Sequence, residues 1–286
     1  MLRLAVTTAA ETASRMAAPL ADRGIEVVEV EPSERLFRPA EPLPAVDVGF
    51  VFPPRLMEGG VLDARLDVPW VNDRQAILRS RNKGEVLTRL RAADLPTPET
   101  VVVSDPVDRA ELVAAWETLD SPVVVKPNSA TRGTGVARAS DLDSFLGVCD
   151  YLDLIHDYPA TGDRSFLVQE FVPDARDYRA MVIDGRYVGA VERRLPDAAG
   201  TDRWTHNVHR GAEAAGVELA DELRDLVADV AETLGIPWLG VDLLVGPDGP
   251  VVTETNARPT IDEATKYEPG FWDDLAGLIR RTAERE

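Results

Sequence analysis

The segment GVDLLVGPDGPVVTETNARP, residues 240–259, constrains this chain more than any other stretch. Two apolar runs flank Pro247-Asp248-Gly249, turn chemistry in which Gly249 suits the positive φ of a three-residue hairpin loop. A hairpin centred on residue 248 sets 246 against 250, 244 against 252, and Asp242 against Glu254 on one sheet face. Asn256 follows Glu254 by two residues, so strand alternation returns it to that face. Two carboxylates and an amide then converge amid apolar strands. Facing like charges repel, and a hard cation with oxygen ligands, Mg2+ or Mn2+ in its place, is one remedy. A solvated face on an edge hairpin is the other reading of the same pattern.

The rest of the chain alternates strand and helix patterns. Residues 2–7 (LRLAVT) and 25–30 (IEVVEV) read as strands around a helix that ends near Gly24, and 47–51 (VDVGF) as a third strand. Such β-α-β alternation implies a small parallel sheet of about 70 residues. Two helical stretches run from 75 to Ala93, followed by Pro96, Pro98 and a strand at 99–103. A helix at 108–118, a strand at 122–126, a loop at 127–135 and a helix near 141–156 come next. Strands at 166–171, 178–183 and 186–192, a helix at 219–234 and a last helix at 271–284 complete an α/β and α+β pattern. There is no internal repeat and no low-complexity tract.

A second chemical signal is VVVKPNSATRGTGVA, residues 123–137. An apolar strand delivers Lys126 at its end, and a loop with Gly133 and Gly135 follows. A point charge beside exposed backbone N–H groups suits a phosphate, although an ordinary glycine-bearing β-turn fits the pattern equally. The order is neither that of a Walker loop nor that of a dinucleotide fingerprint.

Charge and cysteine content exclude other classes. Fifty acidic residues against 31 basic ones give a formal charge of −19, which repels nucleic acid and anionic membranes. Only three of the basic residues are lysines, Lys83, Lys126 and Lys266. This acid-rich, lysine-poor composition resembles that of salt-adapted proteins. The single Cys149 excludes an internal disulfide and a cysteine-based zinc cluster, and its helical pattern reads as a buried small apolar position. His206 and His209 have no partners at zinc spacing. With no apolar run long enough to span a bilayer, the expected location is the cytoplasm.

Taken in order, SRNKGEVLTRLRAADLPTPET, VVVKPNSATRGTGV, VQEFVPDARDYRAMVIDGRYVGAVERR, WTHNVHRGA and LGVDLLVGPDGPVVTETNARPT resemble the RimK-like ligases of the ATP-grasp superfamily. The resemblance covers roughly residues 70–282. It implies an ATP-grasp fold with an N-terminal Rossmann-like (pre-ATP-grasp) domain at 1–75, a central lid subdomain at 76–165 and a C-terminal subdomain at 166–286 with a magnesium site. It implies nucleotide contacts from Lys83, Lys126, Gly133, Gly135, the hinge Glu170-Phe171-Val172, Asp177 and Asn207. It assigns magnesium to Asp242, Glu254 and Asn256, and basic groups near the transferring phosphate and the substrate carboxylates to Arg179, Arg193 and Arg194. Arg258 reads as an extra carboxylate clamp or as the partner of surface acids; Lys266 has no assigned role.

The implied activity is ATP-dependent joining of a carboxylate to an amine through an acylphosphate. The partners would be ATP, an amino-acid donor such as glutamate, and a carboxylate-bearing acceptor that is a small molecule, a peptide or a carrier protein; homo-oligomers are common in the family. Two departures fall near the substrate: Thr205-His206-Asn207 where the family often has Arg-Ser-Asn, and Asn256-Ala257-Arg258-Pro259-Thr260 where many members have Asn-Ala-Ser-Pro-Gly. The competing readings are a binding-only ATP-grasp regulatory protein and a ligase of the D-alanine ligase or glutathione synthase branch.

Overall fold

The computed structural model describes residues 1–7, 11–30, 40, 42–131, 133–155, 163–195, 204, 212–261 and 266–285. The first layer holds β1 (Leu2–Val6), α1 (Glu11–Ala21), β2 (Ile25–Glu29), β3 (Val48–Val51), α2 (Leu56–Leu66) and β4 (Trp70–Asn72). Its strands pair in parallel in the order β2-β1-β3-β4. Every residue of β3 and β4 is buried, as a strand between covered faces requires. Gly49 is needed by close approach, since a Cβ there would lie 2.2 Å from the Trp70 ring. The sequence pattern contains neither β4, too short to display alternation, nor α2, whose centre carries Gly59-Gly60, poor helix formers.

Asp73 and Asn82 begin the next two helices, α3 (Arg74–Arg81) and α4 (Lys83–Ala92), by accepting bonds from the N–H groups of Ala76 and Glu85. A second sheet follows from β5 (Thr100–Ser104), β6 (Val123–Pro127), β7 (Ala137–Ala139) and β8 (Ser165–Glu170), antiparallel in the order β5-β8-β6-β7. Between them come α5 (Arg109–Glu117) and α6 (Leu142–Ile155). Phe145, Leu146 and Cys149 of α6 share a buried cluster with Val123, Val125, Phe166 and Val168. The expectation for Cys149 holds: it is buried, which pushes its thiol up to about 12.

The third sheet contains β9 (Arg176–Ile183), β10 (Arg186–Arg194), β11 (Glu213–Val217), β12 (Trp238–Gly246) and β13 (Gly249–Asn256), antiparallel in the order β11-β10-β9-β12-β13. Register sets Tyr178, Ala180 and Val182 beside Leu243, Val241 and Leu239 on one face. All belong to the main core, with residues of α7 (Asp221–Leu234) and α8 (Phe271–Ala283). No helix among the described residues is long and apolar enough to cross a membrane.

One side chain ties the first sheet to the third. Asn72, fully buried at the end of β4, donates Nδ2 to the carbonyls of Trp238 (2.5 Å) and Ala257 (2.7 Å) and accepts the Trp238 N–H at Oδ1 (3.1 Å). Truncation strands three buried backbone groups. Asn72→Ala is therefore expected to lower the unfolding free energy by about 2–4 kcal/mol, read from urea unfolding curves. A loss below about 0.5 kcal/mol, the level of an ordinary surface change, would place the joint elsewhere.

Candidate active site

The polar face of the third sheet is built by alternation. Asp177 and Arg179 on β9 are the residues whose neighbours face the core, and their cross-strand partners are Arg193 on β10 and Asp242 on β12. Asp242 in turn lies across from Glu254 on β13. Opposite charges thus alternate across β10, β9 and β12, and Glu254 on β13 faces Asp242 as a like charge.

The hairpin reaches that pairing by a route different from the expected one. Gly246 pairs with Gly249 across a two-residue turn, Pro247-Asp248, and Leu244 pairs with Val251 rather than Val252. A bulge then inserts Thr253, because Leu243 faces Val252 whereas Asp242 faces Glu254. The tighter turn and the extra residue offset each other. Gly249 has φ +112°, the positive value expected of it. The bulge turns the Thr253 carbonyl toward Lys126, whose Nζ donates to it at 3.2 Å, while Thr253 Oγ1 donates to the Asp242 carbonyl at 3.3 Å.

Asp242 is 5% exposed. Burial raises its carboxyl, but Arg179 and Arg193 outweigh burial and hold it down at about 2. Arg179 grips it with two bonds of 2.7 Å, Nε to Oδ1 and Nη2 to Oδ2, and Arg193 Nη1 adds one of 3.3 Å. Arg193 also donates Nε and Nη2 to Asp177 Oδ1. Burial pushes the Asp177 carboxyl upward against the pull of Arg193. Asp177, expected on the ribose side, is thus engaged by a buried ion pair. Arg194 belongs to the opposite face, where it and Arg176 clasp the buried Glu192 and hold that carboxyl near 2.

Both candidate lysines meet this face from the other layers. Lys126, at the end of β6, donates to Gln169 Oε1 (2.8 Å) as well as to Thr253. Burial lowers its ammonium to about 8, with Glu254 pulling it up and Lys83 pushing it down. Lys83, in the first turn of α4, donates to the carbonyls of Ala130 (2.6 Å) and Asn128 (3.3 Å) and pairs with Glu254 at 3.4 Å. Asn128 braces this corner, accepting the Gly84 N–H and donating to Asn82 and Ser165.

Gly133 and Gly135 lie in the β6–β7 loop with φ +66° and +77°. A Cβ on Gly135 would approach Pro127 to 2.7 Å, so the loop folds back on the strand that carries Lys126. Glu170 ends β8, and its Oε1 accepts the Glu99 N–H at 3.0 Å while its own N–H donates to Glu99 O. The Phe171 ring meets Trp204 edge to face at 5.8 Å, and the Arg138 guanidinium lies 5.4 Å from Phe171 and 5.8 Å from Trp204. Val172 packs where a Cβ on Gly246 would otherwise stand, 2.8 Å away. Asn207, with His206 and His209, lies outside the described residues.

Arg258 is not beside the row. It donates Nη1 to the Phe52 carbonyl just after β3, while its N–H binds Asn256 Oδ1 at 2.8 Å. It makes no ion pair with a described residue. Burial lowers its guanidinium to about 10, and the Arg81 charge adds to this. Sequence reasoning did not single out Gln169, Asn128, Arg138, Trp204 or Arg81. Asn128 and Gln169 lie within two residues of motif residues, which is the signal that could have found them. Arg81, two residues before Lys83, carries the same signal, whereas Arg138 carries none because strand register alone brings it in.

Among the described residues no three His, Cys, Asp or Glu side chains converge. The hairpin set is two carboxylates and an amide oxygen, the hard-oxygen chemistry that Mg2+ takes. Each carboxylate offers about four lone-pair positions, more than the arginines and Lys83 occupy, so the set fits such a cation.

A hairpin of oxygen donors at the edge of one antiparallel sheet, met by a lysine from a strand end of the other and one from a helix start, fits an ATP-grasp enzyme. The chain belongs to the RimK-like ATP-grasp family, whose domain matches residues 80–270, and it is a carbon-nitrogen ligase of that type. It is 31% identical over 221 residues to a probable alpha-L-glutamate ligase of Legionella pneumophila (strain Corby), covering 76% of this chain and 67% of that protein. It is similar to a RimK-domain ATP-grasp protein of Sphaerobacter thermophilus, with a TM-score of 0.68, 25% identity and coverage of 98% and 99%. It shares its fold with the D-alanine–D-alanine ligase of Bacillus anthracis complexed with ATP, with a TM-score of 0.68, 17% identity and coverage of 99% and 97%. The resemblance read from the motifs is borne out.

The Asp242 ion pairs carry a pH signature. A carboxyl held near 2 when folded adds stability above its unfolded value of about 4 and loses it as pH falls toward 2. Arg179→Gln should therefore destabilise the protein by about 3 kcal/mol at pH 7, and by progressively less from pH 4 to pH 2. Urea unfolding across that range checks it; a pH-independent difference would mean that Asp242 is not the group concerned.

Proposed function

We propose that the protein uses ATP and Mg2+ to activate a substrate carboxylate as an acylphosphate and then joins it to the amine of an amino acid. Glutamate is the first candidate, on the name of the Legionella relative alone. The observation that supports the reading is that both lysines reach the hairpin carrying Asp242, Glu254 and Asn256, Lys126 through the Thr253 carbonyl and Lys83 through Glu254.

The carboxylate oxygen attacks the γ-phosphorus, the bond to the β-bridging oxygen breaks, and ADP leaves. The amine then attacks the acyl carbon and releases phosphate, while its proton passes to solvent. Such transfers need positioning and charge neutralisation more than a covalent nucleophile. Lys126 would neutralise phosphate oxygens, and Arg179 and Arg193 would keep Asp242 ionised and oriented. Asp242, Glu254 and Asn256 would hold the magnesium ion, whose charge would offset that of the phosphates. The Gly133/Gly135 loop would cover the phosphates and exclude water from the acylphosphate.

The test is ADP release with ATP, Mg2+ and pooled amino acids in concentrated potassium chloride, with mass spectrometry of the products. ADP that appears only with particular amino acids, alongside a new amide mass, is expected. Glu254→Ala and Lys126→Ala should each lower turnover by about 100-fold or more while cooperative unfolding persists. Near-normal turnover in Glu254→Ala would sink the metal assignment, and absence of any ATP binding would defeat the whole reading.

A further inference from the structure

Lys83 stands where three parts of the fold meet. It opens α4 and is 5% exposed, and its ammonium has three N–H donors. Three acceptors surround that ammonium: the Ala130 carbonyl at 2.6 Å, the Asn128 carbonyl at 3.3 Å and Glu254 Oε1 at 3.4 Å. Two of them are backbone groups of one short segment, the start of the β6–β7 loop, and the third is a side chain of β13. A buried ammonium is costly unless its donors are met and its charge is offset. Here the loop carbonyls meet the first need and Glu254 meets the second.

The bonds around this point anchor one end of the loop. The Lys83 N–H donates to the Asn128 carbonyl at 3.4 Å, and the Gly84 N–H to Asn128 Oδ1 at 2.8 Å. The Asn128 N–H donates to the Ser165 carbonyl at 3.1 Å, which ties the same residue to β8. Ala130 lies two residues further on, and the Lys83 side chain is what brings its carbonyl to α4. Beyond it the chain turns through Gly133 and Gly135, at φ +66° and +77°, values that favour glycine. The loop thus passes from its anchored part to its turning part just after the residue that Lys83 holds.

We propose that Lys83 is a positioning residue whose ammonium moors residues 128–130 of the glycine loop to the Glu254 carboxylate of the hairpin. This role differs from the direct nucleotide contact that the resemblance of the motifs implies for Lys83. A compact ammonium suits it, because its three donors can turn toward acceptors in different elements where a planar guanidinium fork cannot. The inference rests on the ligase reading for what the loop covers, but the mooring itself is measured without turnover.

Amide hydrogen exchange, read by mass spectrometry on the full-length protein at fixed potassium chloride, tests the mooring. Lys83→Met keeps the apolar stem and removes the ammonium. In that variant, exchange in segment 128–135 is expected to quicken by about tenfold or more, while β12 and β13 stay within about twofold of the unaltered protein. Glu254→Gln removes the charge and keeps the shape, and should quicken the same segment by about threefold. It decides the matter should Lys83→Met not unfold cooperatively. In Lys83→Met, kcat for ADP release should fall by about tenfold or more while KM for ATP changes by less than about threefold, because a mooring acts on the loop rather than on nucleotide binding. Exchange in 128–135 that is unchanged in both variants overturns the mooring. So does quickening spread evenly over the chain, which marks a general loss of stability. Unchanged loop exchange in Lys83→Met, with affinity for a non-hydrolysable ATP analogue reduced by about tenfold, would make Lys83 a phosphate contact instead. Loop exchange that responds as expected in a protein that releases no ADP would leave the mooring standing and count against the ligase reading.

Discussion

A carboxylate buried in a sheet must be neutralised on the spot, and Asp242 imposes that requirement on everything around it. Two arginines supply the charge, and they can do so only from the strand positions whose side chains share its face. Arg179 is its direct cross-strand partner, and Arg193 comes from one strand further. Arg193 then needs Asp177, so the row extends by alternate sign rather than by like charge. The same alternation sends Tyr178, Ala180 and Val182 to the opposite face, where helices cover them. The sheet therefore carries the Tyr178–Ala180–Val182 core contacts on one face and the Asp177–Arg179–Arg193–Asp242 ion pairs on the other.

The second constraint is that this face must meet the β5-β8-β6-β7 sheet. The meeting is made by lysines and carbonyls rather than by apolar packing, and the Thr253 bulge is what aims the carbonyl. An unbulged ladder would have spent that oxygen on a cross-strand bond. Lys126 and Lys83 are both nearly buried, at 7% and 5% exposure, so each needs the acceptors it has found. On the far side, Asn72 secures the hairpin to the first sheet through backbone groups on either end of it, Trp238 and Ala257. The hairpin is therefore held from both neighbouring layers, and its oxygen face cannot drift relative to the lysines without breaking buried hydrogen bonds.

Sequence made the periodic parts of this arrangement legible. The pairing of Asp242 with Glu254 followed from alternation and turn position, although the turn has two loop residues and a bulge restores the register. A bulge leaves no compositional trace at Thr253, because what it needs is an acceptor for Lys126 supplied from elsewhere in the fold. β4 was illegible for a different reason: three residues cannot display a period, and Asn72 earns its place through partners some 170 positions away. The ion pairs were legible by type but not by partner. Asp177 and Arg193 both stand out in the motif region, yet only the register of β9 on β10 shows that they neutralise each other. Arg194, one residue on, resembles Arg193 in sequence and lies on the other face.

The scarcity of lysine gains a physical reading from these positions. A guanidinium has five N–H donors in a fixed plane and stays charged whatever its surroundings. At the end of β6 it would need more acceptors than Gln169 and Thr253 supply. The Lys126 ammonium has three donors, two of them placed on those groups. Burial also lowers this ammonium to about 8, with Glu254 pulling against that shift. Arginine serves where this chain needs a permanent, two-pronged partner for a carboxylate, as at Asp242. Lysine persists where a buried cation must fit between few acceptors, as at Lys83 and Lys126.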